Sequence, residues 1–368
     1  MFPLQNKDIR RILIIRLRNI GDVLLMVPTL RAFREGFPHA SITALVNRGT
    51  EEMLTGNPVV DEVMVFDPRW KTLPLIQRLA REFGLIREVR RRRFDLAVNL
   101  TEGDRGAFLC LGSGAPHRVG VFHEDSSLWW KKRVFHHLVR IPDGRAHMVE
   151  QMLETARYLG LPIRDRQVEI FFSPEDRFGV EERLRKHGVS AGERIVHIHP
   201  TSRWLFKCWR DEAVARVIDA LQEGGFARVV LTSGSERREL EKIQSIQRRS
   251  QTKAIDLSGK MTLKQLAALS QRADLFIGVD TAPMHIAAAV KTPVIALFGP
   301  SGEFNWGPWG DAGHVVIKKD WPCRPCGKDG CEGSKRSRCL EEIREEEVLA
   351  HAFRILESGP RKEGGEDL

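Results

Sequence analysis

The stretch RRILIIRLRNIGDVLLMVPTLRAF, residues 10–33, sets a pattern that the rest of the chain repeats. Its apolar run from Ile12 to Leu17 suits a strand buried on both faces, as in a parallel sheet. The residues Asn19 to Asp22 interrupt that run, and a helix is predicted from Asp22 to Phe33. A buried strand followed by a helix is the unit of an α/β fold with a parallel sheet.

The same alternation returns twice along the chain. A first series has strands predicted at 42–46, 63–66 and 95–100, and a second at 195–199, 229–232, 275–279 and 294–298. Between them, Ser173-Pro174-Glu175-Asp176 is typical of a helix start at a domain junction. We therefore predict two similar α/β halves at 1–172 and 173–342. A helix at 343–358, expected to pack back on the N-terminal domain, and a polar tail at 359–368 follow.

Composition bounds the class of protein. The chain has 368 residues, 42% hydrophobic and 29% charged, which is typical of a globular protein of about two domains. No apolar run approaches the ~20 residues of a membrane span, and no secretory signal is recognisable, so we expect a cytoplasmic protein. The net charge of +9 indicates an anionic partner: a nucleic acid, a lipid surface or a phosphorylated substrate. Basic runs at Arg90–Arg93 and Lys131–Arg133 concentrate that charge.

Several motifs of common enzymes are absent from the sequence. No G-x-G-x-x-G follows a predicted strand, and no G-x-x-x-x-G-K-[ST] occurs. The motifs H-E-x-x-H, G-x-S-x-G and D-x-D are also missing. Hydride transfer, ATP hydrolysis, zinc proteolysis and serine hydrolysis are therefore disfavoured, as is a D-x-D metal grip on a nucleotide diphosphate.

The first candidate site is the loop between the first strand and its helix. In open parallel sheets, ligands bind at the carboxyl ends of strands, where this loop lies. Gly21 permits close approach of a substrate, and Asp22 supplies a carboxylate that could act as a general base. Asp22 could instead serve only as the N-cap of the helix.

Two later loops have the composition of an anion site. The segment HPTSRWLFKCW, residues 199–209, offers hydroxyls and cations to phosphate oxygens. Surface charge with packed tryptophans would explain it equally. In GVDTAPMH, residues 278–285, a helix predicted to begin near Ala282 would present free N–H groups to a phosphate. His285 could face the same anion or pack elsewhere.

Two further features remain open from the residues alone. Glu236 follows a predicted strand and could accept a ribose hydroxyl, or could simply favour the helix dipole. The late cysteines could hold zinc or an iron–sulfur cluster, but their spacing lacks a second C-x-x-C and reduced thiols or labile disulfides explain them as well. No metal is therefore expected at this cluster, which consists of Cys323, Cys326, Cys331 and Cys339.

Three segments together resemble a known family. RLRNIGDVLLMVPTLRAFREGFP (16–38), HPTSRWLFKCW (199–209) and DLSGKMTLKQLAALSQRADLFIGVDTAPMHIAAAVKTPVIALFGPS (256–301) look like the ADP-heptose:lipopolysaccharide heptosyltransferases. The resemblance spans about residues 11–356, and the TSRW-x-F-K-x-W and DTAPMH forms look most like the heptosyltransferase III group. It implies a GT-B fold, in which two Rossmann-like domains face a central cleft.

The resemblance also implies roles for particular residues. The acceptor would bind the N-terminal domain, where Asp22 would be the catalytic base beside Asn19 and Gly21. The C-terminal domain would bind the donor, ADP-heptose, with Glu236 at the ribose and Met261 near the adenine. The remaining implied donor residues are Thr201, Ser202, Lys207, Asp280, Thr281, Ala282 and His285. Other members often carry glycine at the position of Ala282, which bears on the identity of the donor sugar.

The family implies inverting transfer of heptose to the inner core of lipopolysaccharide, with no cofactor and no metal. The basic runs would suit an anionic inner-leaflet surface, which implies a peripheral enzyme on the inner face of the inner membrane. Three alternatives stay open: a GT-B transferase that uses another nucleotide sugar, a silent scaffold paralogue, and a basic polyanion-binding protein. No nucleic-acid-binding module is recognisable, so no nucleic-acid partner is expected.

Overall fold

The computed structural model describes residues 8–123, 129–141 and 145–359. The chain divides into two compact units, Met1–Phe171 and Phe172–Leu368, one residue from the predicted boundary at 172/173. Of the predicted polar tail 359–368, only Gly359 lies within the described residues.

The first unit is built on one parallel sheet. Its strands are β1 (Arg11–Arg16), β2 (Ser41–Asn47), β3 (Glu62–Phe66), β4 (Leu96–Asn99), β5 (His117–Phe122) and β6 (His137–Arg140). They lie in the order β3-β2-β1-β4-β5-β6. Ile12 pairs with Ile42 on one side and with Leu96 on the other. Since β1 is central, Ile12 to Ile15 are fully buried, which is why the run is apolar on both faces.

The helices of the first unit differ from the prediction in several respects. They are α1 (Ile20–Leu24), α2 (Val27–Gly36), α3 (Leu75–Arg91), α4 (Asp104–Ser113), α5 (Lys131–Val134) and α6 (Met148–Leu159). The predicted helix from Asp22 to Phe33 is two helices, because Pro28 cannot donate to a continuous helical ladder and lies instead in the first turn of α2. Asp22 lies inside α1, whose N-cap is Asn19, so Asp22 is not the helix cap. The sequence prediction also missed α4, which ends at Gly114 in the left-handed region.

The second unit repeats the architecture of the first. Its strands are β7 (Ile195–His199), β8 (Arg228–Leu231), β9 (Ile255–Asp256), β10 (Leu275–Val279), β11 (Val294–Phe298) and β12 (Val315–Lys318). The sheet order is β12-β11-β10-β7-β8-β9, again parallel. The helices are α7 (Pro174–Lys186), α8 (Asp211–Glu223), α9 (Arg237–Arg249), α10 (Leu263–Arg272), α11 (Ala282–Ala289), α12 (Glu303–Trp306), α13 (Arg338–Glu341) and α14 (Glu345–Ser358). Counted within its unit, each sheet has the strand order 3-2-1-4-5-6 of a Rossmann fold.

The last helix, α14, packs within the second unit. Val348, Ala352 and Leu356 recur every four residues and are buried in the core that also holds residues of α8 and β10. This spacing places all three side chains on one face of the helix. This apolar face is buried within the second unit, and the expectation that the helix also packs back on the N-terminal domain stays a prediction.

Each sheet has one point where the strand order reverses, between β1 and β4 in the first unit and between β7 and β10 in the second. In open α/β sheets, ligands bind beyond the carboxyl ends of the strands at this switch point. The loop with Asp22 follows β1, and the loops with Thr201 and Asp280 follow β7 and β10. No helix among the described residues is long and apolar enough to cross a bilayer.

Candidate active site

At the switch point of the first unit, Asp22 forms a buried ion pair with Arg16. One guanidinium nitrogen of Arg16 lies 2.6 Å from Asp22 Oδ1, and the two side chains are only 7% and 9% exposed. Arg16 also donates to the Leu100 carbonyl at the end of β4 and lies 3.4 Å from Met148 Sδ. Burial lowers the pKa of Arg16, and the nearby Asp22 carboxylate opposes that shift. The carboxylate predicted as a base is therefore fixed at the switch point by an arginine that the sequence prediction overlooked.

The residues around Asp22 join the ends of β1 and β4. The N–H of Leu17 donates to Thr101 Oγ1 at 3.0 Å, and Gly21 is buried in the first turn of α1. Lys131 is buried and its Nζ donates to the Glu102 carbonyl at 2.7 Å, while His123 contacts the Glu102 carboxylate. Lys131 was expected on a membrane-facing surface. That is wrong for Lys131, because its ammonium belongs to the polar loops beyond β4.

At the switch point of the second unit, Lys207 pairs with Asp280. Lys207 lies in a 3₁₀ turn, Leu205–Lys207, in the loop after β7, and Asp280 follows β10. Lys207 Nζ lies 2.5 Å from Asp280 Oδ2, with side-chain exposures of 24% and 8%. Asp280 therefore orients a cation at the place where the sheet offers a binding crevice. A carboxylate in a loop predicted to bind an anion is therefore accounted for by its contact with Lys207.

Helix α11 begins directly beyond Asp280. Thr281 is its N-cap, Ala282 its first residue, and Pro283 sits in the first turn, where a missing N–H costs nothing. The backbone N–H groups of this turn and the positive end of the helix dipole suit an anion. His285 is on the same helix and is buried.

Behind the loop after β7 lies a buried chain of polar side chains. Thr201 Oγ1 donates to Glu239 Oε2 at 2.6 Å, and the N–H of Gly234 donates to the same oxygen at 3.1 Å. Ser202 is buried beside Thr201, and its hydroxyl accepts from the Trp204 N–H at 3.2 Å. Glu239 therefore holds together the loops that follow β7 and β8.

The chain continues through two buried histidines on β7. His199 Nδ1 lies 2.8 Å from Thr232 Oγ1, and His197 lies 2.7 Å from the same hydroxyl and 3.0 Å from Ser270 Oγ. Burial lowers the pKa of His199 to about 3 and lowers that of His197 well below its ordinary value. Both rings are therefore neutral near pH 7 and act as hydrogen-bonding links. The sequence signal for them was their spacing of two on a buried strand, which puts both on one face.

The two remaining donor-side predictions lie at nearby loops. Glu236 is exposed and is the N-cap of α9, beyond the carboxyl end of β8. Met261 precedes α10, is partly buried against the core, and its sulfur lies 3.4 Å from an Arg183 nitrogen. Glu239, three residues after Glu236, is the glutamate that the structure connects to Thr201, and the sequence reasoning did not single it out.

The six cysteines are free thiols. Cys323 is exposed, Cys326 and Cys331 are half-buried, and Cys339 is buried. Burial raises the pKa of the Cys339 thiol, and charges on the other three cysteines act in the same direction. Over the described part of the chain, no group of three or more His, Cys, Asp or Glu side chains is arranged to hold a metal ion.

Known proteins with similar sequences and folds match most of the chain. The model of glycosyltransferase family 9 (heptosyltransferase) matches residues 83–336. Lipopolysaccharide heptosyltransferase 3 of Escherichia coli is 36% identical over 291 residues, 78% of this chain and 83% of that protein. The crystal structure of the glycosyl transferase family 9 protein from Veillonella parvula DSM 2008 has a TM-score of 0.80 at 25% identity, covering 95% and 98% of the two chains. The E. coli heptosyltransferase WaaC with ADP shares the fold, with a TM-score of 0.71 at 20% identity over 94% and 99% of the chains.

The two Rossmann-like units and the likeness to solved family 9 structures identify the fold as GT-B, and the matching family model identifies a glycosyltransferase. More narrowly, the chain belongs to glycosyltransferase family 9, the heptosyltransferases. The predicted fold class, enzyme class and family resemblance are thereby confirmed. The roles of individual residues stay predictions, and family membership favours the transferase over the polyanion-binding alternative.

Proposed function

We propose that this enzyme transfers heptose from ADP-L-glycero-β-D-manno-heptose to a heptose hydroxyl in the inner core of lipopolysaccharide, with inversion at the anomeric carbon. The similarity to lipopolysaccharide heptosyltransferase 3 over most of both chains supports this acceptor. The E. coli WaaC structure with ADP-2-deoxy-2-fluoro heptose, at 19% identity, has the same fold. A protein of this fold therefore binds an ADP-heptose analogue, which supports ADP-heptose as the proposed donor.

Two features carry the proposal: a buried carboxylate at the switch point of the first sheet, and an oriented cation at the switch point of the second. Asp22 lies beyond β1 and Lys207 and Asp280 lie beyond β7 and β10. Glycosyl transfer needs a base for the acceptor and a cation for the leaving diphosphate. The two units supply one each.

On the acceptor side, Asp22 removes the proton as the acceptor oxygen attacks the anomeric carbon. Arg16 binds Asp22 Oδ1 and fixes the carboxylate, so that Oδ2 is the oxygen that receives the proton. The bond between the anomeric carbon and the diphosphate breaks as the new glycosidic bond forms. The electron pair leaves on ADP.

On the donor side, Lys207 and the first turn of α11 stabilise the charge that develops on the departing diphosphate. Asp280 keeps the Lys207 ammonium in place before the donor arrives. Thr201 and Ser202 support the phosphates, Glu236 takes a ribose hydroxyl, and Met261 packs against the adenine. Asp280, Thr281, Ala282 and His285 complete the diphosphate side, and the step uses no metal.

The enzyme acts on the cytoplasmic side, attached peripherally to an anionic membrane surface. The lipid-anchored acceptor and the net charge of +9 support this location. Lys131 is buried and adds no charge to such a surface, whereas Lys132, Arg133, Arg90, Arg91 and Arg93 are exposed.

The test is incubation of the purified protein with ADP-heptose and defined truncated core acceptors, with the product mass as readout. The expected result is a gain of one heptose on an inner-core acceptor, with Asp22→Asn as the inactive control. A gain with another nucleotide sugar and none with ADP-heptose would show that the donor assignment is wrong. Residue 282 is alanine, where the family resemblance implies that other members often carry glycine, so the arm with another nucleotide sugar is included.

A further inference from the structure

Helix α3 is almost unburied. Of its 17 residues, only Leu85 and Val89 are buried, yet it exposes large apolar side chains. Leu75, Ile76 and Phe83 are 67%, 82% and 66% exposed, and Leu79 is 42% exposed. At 100° per residue these four lie within one third of the helix circumference. A stripe of this kind costs free energy in water unless something covers it.

The stripe continues onto the neighbouring helix, α4. A Cβ on Gly112 would lie 2.9 Å from Ile86, so α4 approaches α3 closely at that point. Phe108 and Leu111 on α4 are 56% and 46% exposed. We call the side chains of Leu75, Ile76, Leu79, Phe83, Phe108 and Leu111 the α3–α4 surface. Trp130 stacks on Phe108 with ring centroids 5.2 Å apart, and Trp129 next to it is 70% exposed.

The charges around the α3–α4 surface are mainly positive. Helix α3 has five arginines and two glutamates. Both glutamates are already paired, Glu82 with Arg78 and Arg105, and Glu88 with Arg92. Arg87 and Arg90 are exposed and lie on the side of α3 that carries the apolar stripe, and Lys132 and Arg133 after Trp129 are exposed as well. An apolar face flanked by exposed arginine and lysine, with tryptophan at its edge, is complementary to an anionic bilayer surface.

The topology puts this surface at the edge of the sheet that carries Asp22. Helix α3 follows β3, so its first turns, with Leu75 and Ile76, lie toward the carboxyl ends of the strands. Helix α4 starts at Asp104, directly after the loop of Thr101 and Glu102 beyond β4. Arg105, in the first turn of α4, lies 4.6 Å from the ring of Phe66 at the end of β3.

We propose that the α3–α4 surface docks on an anionic lipid bilayer, with Ile76 and Phe83 inserted among the lipids and Arg87 and Arg90 at the headgroups. The proposal rests on the proposed function, since a lipid-anchored acceptor would then reach the Asp22 edge from the membrane. In this proposal, the insertion of apolar side chains contributes most of the binding of the α3–α4 surface to the bilayer. Salt weakens the electrostatic part but does not abolish binding.

The test is co-sedimentation with phosphatidylcholine vesicles that contain phosphatidylglycerol, compared with phosphatidylcholine alone. The variant is I76S/F83S, and the matched control is F178S, which removes an equally exposed phenylalanine (70%) on α7 of the second unit. We expect the double variant to bind anionic vesicles about tenfold more weakly, since each side chain loses part of its transfer free energy. F178S binds like the wild type, and all three proteins melt at the same temperature.

Binding of I76S/F83S at wild-type strength would overturn the proposal, as would an equal loss in F178S. A wild-type oligomer that dissociates in I76S/F83S would also overturn it, because a second copy would then cover the surface. Since vesicle binding needs no donor or acceptor, its outcome is separate from that of the transfer assay.

A second readout compares a vesicle-embedded acceptor with its deacylated, water-soluble form. I76S/F83S loses transfer to the embedded acceptor and keeps wild-type transfer to the soluble one. Equal loss with both acceptors would show that the surface belongs to the active site, which contradicts the proposal. If the wild type transfers nothing to either acceptor but the vesicle pattern holds, the proposed function fails and the docking surface stands.

Discussion

Lys207 Nζ lies 2.5 Å from Asp280 Oδ2, although the two residues are 73 positions apart. The contact spans the switch point of the second sheet and joins the loop after β7 to the loop after β10. It accounts for a carboxylate next to the helix start where we propose that the diphosphate binds. In that proposal Lys207 faces the anion, and Asp280 holds the Lys207 ammonium in place.

Replacing Lys207 with methionine should weaken ADP binding by about tenfold and also lower kcat, because a charge-assisted contact to phosphate is lost. Calorimetric titration with ADP measures the first effect, and initial rates measure the second. K207R is the matched variant, which keeps the charge and should recover part of both. If K207M has a lower melting temperature but binds ADP with normal affinity, Lys207 stabilises the fold and does not bind the donor.

Asp22→Asn should lower kcat by about a thousandfold, since general-base catalysis is typically worth ~10²–10⁴-fold. Asparagine can still accept the hydrogen bond from Arg16, so the fold and the affinity for ADP should hold, with a smaller loss of stability than in Asp22→Ala because only the charge is lost. Asp22→Ala should abolish turnover as well, but it leaves the buried Arg16 uncompensated and should cost about 3 kcal/mol of stability. Near-normal turnover in D22N would exclude Asp22 as the base.

Glu239→Ala should raise the KM for the donor and lower stability by about 2 kcal/mol. The Thr201 hydroxyl and the Gly234 N–H would both lose a buried acceptor. Glu239→Gln keeps an acceptor oxygen and should recover most of the loss. Glu241→Ala is the control, because Glu241 is exposed on the same helix and pairs only locally with Arg237. Donor KM and melting temperature are the measurements, and identical values for E239A and E241A would refute a positioning role.

The two histidines of β7 predict an acid-sensitive second unit. Burial holds the folded-state pKa of both below the unfolded value, at about 3 for His199. At a pH between the folded-state and unfolded-state pKa, the unfolded chain therefore binds more protons than the folded one. The contribution of these histidines to the free energy of unfolding is fully present above about pH 6.5 and is lost as the pH falls below it. In that range the free energy of unfolding falls by about 1.4 kcal/mol per pH unit for each histidine. Urea unfolding between pH 4 and pH 8 measures it, with His199→Gln as the variant whose curve should be flatter; equal slopes would contradict the assignment.

The cysteines should react with alkylating reagents in an order set by burial. Cys323 is exposed, whereas burial raises the pKa of Cys208 to about 11 and raises that of Cys110 further. Because the thiolate is the reactive form, iodoacetamide at pH 8 should modify Cys323 first and leave Cys208 and Cys110 unmodified in the folded protein. Peptide mass mapping shows the order. Early modification of Cys208 would mean that its loop opens readily.

The sequence was sufficient for the architecture because the strands are short apolar runs buried on both faces, as in β1 and β10. It failed where one residue decides between local alternatives. Pro28 splits a predicted helix in two. Helix α14 could not be assigned to a domain, because the apolar face of a helix does not show which surface it packs against.

The candidate site was predicted one residue at a time, without the partners that fix those residues. Asp22 and Lys207 were recognised, but Arg16 looked like an interruption of a strand and Glu239 like an ordinary residue of a helix's first turn. Their partners are distant in sequence: Thr201 and Glu239 are 38 positions apart. Contacts of this kind depend on the strand order, which the alternation of elements does not specify.

The two units have the same strand order, and each has a complete sheet of its own. Each half now keeps its own ion pair, Arg16 with Asp22 and Lys207 with Asp280. If the first unit binds the acceptor and the second the donor, as we propose, substitutions that change acceptor choice can accumulate in one unit without disturbing nucleotide recognition in the other. Chimeras joined near residue 172 are a practical way to exchange acceptor specificity among relatives.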